Sequence, residues 1–142
     1  MAQINPYLNF PGNAEEAFNF YKSIFGGEFP MVMRFGDTPE AGNIAEEDKS
    51  KLMHIALPIG GNVLMASDAV GDMCTALNPG NTISLSVSAD SKDDADRIFN
   101  GLAAGGTVKM PMDNTFWGAY FGMVDDKFGI QWMVSYDEKY AG

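Results

Sequence analysis

His54 is the only histidine in this 142-residue chain, so chemistry that needs two imidazoles is excluded at once. With Tyr7 and Asp68 it forms the small set of side chains suited to moving a proton on a carbonyl-type substrate. The imidazole would act as base, and the phenol or carboxyl as its partner. In a strand beside Ile55, however, His54 reads first as a hydrogen-bonded structural imidazole and only second as a general base, so the catalytic assignment stays open. Other signatures are missing: there is no G-x-S-x-G elbow, P-loop, C-x-x-C or H-E-x-x-H. The single cysteine, Cys74, lies between Met73 and Thr75 without a neighbouring base or cation. It reads as an inert thiol that has no internal partner for a bridge.

A second set of residues speaks for binding. Strand alternation gathers Asn5 and Tyr7, Met65 and Ser67, Thr82, Ser84 and Ser86, and Gln131 and Met133 onto faces that are small, polar or soft. A sheet packed on both sides would carry Val and Ile on both faces. These faces instead suit a partly hydrated cavity with a few orienting hydrogen bonds, the competing reading being a face that meets water. Phe116 and Trp117, with Phe35 opposite, would make an aromatic wall for a planar or cationic ligand, or else an interface between two copies. Ten methionines supply flexible thioethers for an adaptable pocket. The expected ligand-binding residues are therefore Asn5, Tyr7, Phe35, Met65, Ser67, Thr82, Ser84, Trp117, Gln131 and Met133.

The elements that must position these groups repeat along the chain. A strand over 4–10, interrupted by Pro6, leads to a helix with Asn13 as N-cap and Glu16 at the capping-box position. Ala14, Ala17, Phe18, Tyr21, Ile24 and Phe25 recur at helical spacing until Gly26 ends the helix. A strand over 28–35 precedes a polar connection, residues 38–50, that is either a flap or a solvated loop. Strands 52–59 and 62–67 form a hairpin over Gly60-Gly61, and 68–80 reads as a linker. The pattern then restarts with alternating strand 82–88, Ser91 as the cap of a helix bearing Ala95, Ile98, Phe99 and Leu102, a stop at Gly105-Gly106, and a strand over 108–112. The closing hairpin, residues 114–136, turns at Asp125-Asp126-Lys127-Phe128-Gly129. Each half is β-α-β-β-β, an internal duplication of pattern with little identity. The reading is one α+β domain over 1–142, made of modules 1–70 and 80–142 joined through sheet faces or a second chain.

Composition bounds the class of partner. Nineteen acidic against nine basic residues leave a net charge of −10, which repels phosphate backbones and disfavours nucleic acid. The longest apolar run, 54–66, is broken by Pro58, Gly60 and Gly61 and is too short to span a membrane. The first ten residues lack a secretion signal's basic start and apolar core, so a soluble cytoplasmic protein is expected.

Three stretches, PYLNFPGNAEEAFNFYKSIFGGE (6–28), HIALPIGGNVLMASDA (54–69) and NTFWGAYFGMVDDKFGIQWM (114–133), resemble the PhnB-like family of the vicinal oxygen chelate superfamily. That superfamily includes glyoxalase I, extradiol dioxygenases and bleomycin-resistance proteins. The resemblance implies paired βαβββ modules whose curved, mixed sheets form a cup, commonly in homodimers. Some family members carry a demethylubiquinone methyltransferase label, which no glycine-rich nucleotide turn after the first strand supports here. In metal-dependent relatives the first and fourth strands of each module supply the ligands of a divalent ion. The corresponding positions here are Asn5, Met65, Thr82 and Met133, none of them His or carboxylate, and such an ion binds amide, hydroxyl and thioether groups poorly. The expectation is a metal-free, cofactor-free protein that binds a small organic molecule, of the drug-resistance kind. Two alternatives are a proton-transfer enzyme using His54 or Tyr7, and a metal-dependent glyoxalase or dioxygenase relative with displaced ligands, such as His54 with Asp68 or acids of the 38–50 loop.

Overall fold

A computed structural model describes residues 2–39 and 41–138. The chain divides into two compact units, Met1–Asn78 and Pro79–Gly142. In the first, β1 (Tyr7–Phe10), α1 (Ala14–Phe25), β2 (Met31–Arg34), β3 (Leu52–Ile59) and β4 (Asn62–Asp68) build a four-stranded sheet. Its order is β1-β4-β3-β2, with β1 parallel to β4 and the other pairs antiparallel. A short helix, α2 (Asp72–Thr75), follows, where the sequence suggested a plain linker. In the second unit, β5 (Leu85–Ser88), α3 (Lys92–Ala103), β6 (Thr107–Asn114), β7 (Tyr120–Asp125) and β8 (Gln131–Tyr136) repeat the layout as β5-β8-β7-β6, with β5 parallel to β8. The duplicated pattern is thus a duplicated topology in an α+β fold of two four-stranded mixed sheets.

Each helix covers one face of its own sheet. Helix α1 turns Ala14, Ala17, Phe18, Tyr21 and Ile24 inward onto β3 and β4. Phe10, Phe18 and Tyr21 meet edge to face, and each is worth about 1.5–3 kcal/mol of burial at this size. Gly26, at φ +77°, ends the helix in a conformation that a side chain would resist. Helix α3 packs Ala95, Ile98, Phe99 and Leu102 against β6, β7 and β8. The closest approach is at Gly122, where a Cβ would stand 2.6 Å from Met112 Sδ and 2.9 Å from the Phe99 ring. Only a glycine lets helix and strand come together here.

The two helices start differently. Ser91 accepts the Asp94 N–H at 3.0 Å, and Asp94 in turn accepts from the Asp90 N–H, so the second helix is capped locally as expected. Asn13 makes no such bond, and its buried Oδ1 has no hydrogen-bond partner among the described residues. The expected box with Glu16 is replaced by Asp68, whose Oδ1 accepts the Ala14 N–H at 2.8 Å from the end of β4. Its Oδ2 accepts the Leu52 N–H, also at 2.8 Å.

Several strands begin or end elsewhere than the alternation suggests. β1 starts at Tyr7, leaving Ile4 89% exposed. β2 is four residues long, and β6 runs on to Asn114 through register shifts near Pro111, whose missing N–H breaks the ladder. The connection after β2 carries short 3₁₀ turns at Phe35–Asp37, Ala41–Asn43 and Glu46–Asp48. Arg34 pins its ends, forking onto both oxygens of Glu15 (2.7 and 3.1 Å) and donating to the Ser50 carbonyl at 2.8 Å.

Candidate functional site

In the first unit, the sheet face away from α1 holds the reactive groups. Register makes Tyr7, Met65, Ala56 and Met31 successive neighbours across β1, β4, β3 and β2. Two residues along the strands lie Asn9, Ser67, His54 and Met33, of which Asn9–Ser67 and Met33–His54 are directly paired. Tyr7 reaches over the sheet so that its Oη is 3.2 Å from His54 Nδ1, with the ring centroids 5.7 Å apart. Ser67 Oγ donates to Asn9 Oδ1 at 3.3 Å. Tyr7, Met65, Ser67 and His54 therefore share one surface.

Asp68 and Asn5 do not join them. Asp68 is 4% exposed on the α1 side of the sheet, and its two oxygens serve the helix start and β3. It is a structural carboxylate: alternation along β4 turns it away from His54, which removes both the proposed proton-transfer role and the displaced His54–Asp68 metal pair. Asn5 precedes β1 and bonds the Val63 N–H at 2.9 Å and Asn62 Nδ2 at 3.4 Å. Its amide fastens the chain to β4 instead of lining a cavity.

In the second unit the corresponding face contains a depression of about 580 Å³ lined by Ser88, Ala89, Trp117, Ala119, Phe121, Met133, Ser135 and Asp137. Pairing explains the lining. Met133 lies beside Ser86 and Met123, and Ser135 beside Ser88 and Phe121. Trp117, in the β6–β7 connection, leans edge-on to Phe121 at 5.9 Å and to Phe116 at 5.0 Å. It is 54% exposed, and Phe116 is 98% exposed. Beneath the opposite face, Asp126 accepts the Phe128 and Ile130 N–H groups and the Trp132 indole N–H at 2.8 Å. That one carboxylate fixes both the β7–β8 turn and the buried tryptophan of β8.

The remaining expected site residues fall outside the depression. Thr82 and Ser84 precede β5, which begins at Leu85, and Thr82 is exposed. Gln131 uses Nε2 to hold the Ile83 carbonyl at 2.7 Å, a structural bond. Phe35 lies in the turn after β2 of the first unit. Conversely, sequence reasoning left out Ser88, Ala89, Ala119, Phe121 and Asp137, while Ser135 follows from its place beside Gln131 and Met133 in the last strand's alternation. Phe121 was findable, since alternation from Met123 puts it on the same face.

On the helix sides of the sheets, several ionisable groups are held by their partners. The Tyr120 phenol donates to Asp96 Oδ1 at 2.6 Å, and that carboxylate, more than burial, raises its pKa above the ordinary 10.0. The Arg97 guanidinium, helped by the Asp90 N–H, holds Asp94 below its ordinary range, as Arg34 does for Glu15. For the divalent ion of metal-dependent relatives the donor set does not fit. Among the described residues no three His, Cys, Asp or Glu side chains converge. Of the four matched positions, Met65 and Met133 offer thioethers, Thr82 is exposed before β5, and Asn5 is engaged with β4.

No helix among the described residues is long and apolar enough to cross a membrane. The family described as 3-demethylubiquinone-9 3-methyltransferase matches residues 2–135. The crystal structure of protein PA1353 from Pseudomonas aeruginosa is 44% identical, covers 96% of this chain and 98% of its own, and superimposes with a TM-score of 0.83. A Bacillus cereus structure, described as a putative 3-demethylubiquinone-9 3-methyltransferase, PhnB protein, is 28% identical with a TM-score of 0.75, covering 95% and 99% of the two chains. A glyoxalase/bleomycin resistance protein/dioxygenase family enzyme from Burkholderia phytofirmans, 16% identical, shares the fold alone at a TM-score of 0.62, covering 92% and 95%. With its βαβββ units in place and the match running over nearly its whole length, this chain belongs to the PhnB-like family named for 3-demethylubiquinone-9 3-methyltransferase and has the glyoxalase/bleomycin-resistance fold.

Proposed function

We propose that the chain is a binding or sequestering protein that takes a small planar or cationic organic molecule in the Trp117–Phe121–Met133 depression, with no metal ion taking part in that site. The observation that carries this reading is the depression itself. Its volume of about 580 Å³ falls inside the roughly 300–1,000 Å³ typical of ligand sites, and its lining mixes aromatic, thioether and hydroxyl groups. A half-exposed indole with a second ring edge-on to it supplies the π-face that a planar cation prefers. The methyl-transfer name of the family finds no support in the β1–α1 turn, Pro11-Gly12-Asn13, which has one glycine and no phosphate-cradling run.

Tryptophan fluorescence tests the proposal with aromatic quaternary ammonium ions and their neutral isosteres as probes. Trp132 is buried, so probe-dependent quenching reports Trp117. Trp117→Leu, whose affinity is read by isothermal titration calorimetry because the reporting indole is gone, should weaken cation binding by about 1 kcal/mol, roughly fivefold in Kd. Equal affinity in the variant would overturn the assignment. A second reading, proton transfer on a carbonyl-type substrate, is favoured by the Tyr7–His54 pair. His54→Gln should then abolish turnover while leaving probe affinity in the other unit unchanged. We also propose self-association of the chain, with exposed Met31 and Val32 on edge strand β2 and Val108 and Met110 on edge strand β6 as contact candidates. Sedimentation equilibrium would read a single-chain mass if this is wrong.

A further inference from the structure

The face that rejects a hard divalent ion is built for a soft one. We propose that the α1-distal face of the first sheet binds a soft monovalent metal ion, Cu(I) or Ag(I), through the thioethers of Met31, Met33 and Met65 and Nε2 of His54. The placement follows from strand register. Met33 is the direct cross-strand partner of His54. Met31 and Met65 are each paired with Ala56, two residues along β3, so both are diagonal neighbours of the imidazole on either side. Diagonal pairs on one face lie about 7–8 Å apart, within reach of long side chains. Ala56, which ends at Cβ, leaves the centre of this arrangement to the sulfurs.

The chemistry of the donors agrees with their placement. Thioether sulfur prefers soft ions such as Cu(I), and imidazole serves as an intermediate ligand for copper. Methionine is a poor choice for packing an outward strand position, where β-branched and aromatic residues are favoured. Met31 is 49% exposed within the single chain, so packing against its own sheet does not account for it. His54 is prepared for ligation on one nitrogen, because Tyr7 Oη stands 3.2 Å from Nδ1. With the proton on Nδ1, the phenol oxygen accepts it and Nε2 presents its lone pair, the arrangement by which a ligating histidine is oriented through its other nitrogen. The ion stays monovalent throughout, so no electron donor or acceptor is needed.

The test is anaerobic competition between the full chain and the Cu(I) chelator bicinchoninate. Cys74 is replaced by Ser so that the one thiol does not contribute. The Cys74→Ser chain should withdraw one Cu(I) from the chelator. His54→Gln should weaken that withdrawal about tenfold or more, and the triple replacement of Met31, Met33 and Met65 by Leu should abolish it. Met73→Leu, on α2, should change nothing. A chain that leaves copper with the chelator, or a triple variant that binds as well as its parent, overturns the proposal. Should the triple variant lose its far-UV signal, methyl NMR of the Cys74→Ser chain decides instead. Added Ag(I) must shift the Met31, Met33 and Met65 methyl resonances, and shifts confined to other methionines refute the site.

Discussion

Replacing Asp68 with Ala should unfold the first unit far more readily, because two buried backbone donors lose their acceptor together. The Ala14 and Leu52 N–H groups each donate to this carboxylate at 2.8 Å, and the side chain is 4% exposed. Leaving a buried donor unpaired costs about 1–3 kcal/mol, and loss of a helix cap about 1 kcal/mol, the second overlapping the first for Ala14. A total of about 4 kcal/mol results. That is a large fraction of the roughly 5–15 kcal/mol by which a domain is stable. With a urea m-value of about 2 kcal/mol/M the midpoint should fall by roughly 2 M. Far-UV circular dichroism is the suitable probe, since both tryptophans lie in the second unit. Asp68→Asn keeps one acceptor and should lose about half as much. A loss below about 1 kcal/mol in Asp68→Ala would refute the capping argument. An intact fold with altered turnover would return the residue to chemistry.

Gly122→Ala should cost about 1–3 kcal/mol by overpacking, since the added methyl meets Met112 Sδ and the Phe99 ring; a thermal melt as stable as the parent's would show that α3 gives way freely. Asp94 has a folded pKa held below 3.8, so its contribution is present above that value and lost as pH falls through the lower folded one. Asp94→Asn should therefore flatten the acid limb of a stability profile below pH 4, and an unchanged limb would count against the Arg97 pairing. Tyr120 has the opposite sign: its folded pKa is raised above 10.0, so stability is complete below pH 10 and falls as pH climbs through the folded value. Tyr120→Phe should remove that alkaline loss in a guanidinium titration, while persistence of the loss would point to another group.

The topology was legible because its signals are local. Helical spacing from Ala14 to Phe25 and from Ala95 to Leu102, each stopped by glycine, marks the two helices, and alternation marks the strands between them. What the chain order hides is tertiary. The cap of α1 comes from Asp68, 54 residues away, so the local rule that looks three residues ahead finds Glu16 instead. Tyr7 and His54 are 47 residues apart and meet only because β1, β4 and β3 lie in that order. Alternation placed Met65, Ser67 and Met133 on the faces opposite the helices. The same rule misplaced Asn5, Thr82 and Ser84, because it assumes a strand begins where the pattern does, and β1 and β5 begin later. Trp117 was noticed for its type, but its partner Phe121 needed the pairing with Ser135.

The repeat of one strand order in both units has a consequence for how such a chain can change over generations. A scaffold present twice can keep its helix-side residues under constraint in both copies while the outer faces drift apart. Here one copy presents thioethers and an imidazole on that face, and the other an indole, thioethers and hydroxyls. Innovation in either copy then puts at risk only the hydrogen bonds of its own sheet.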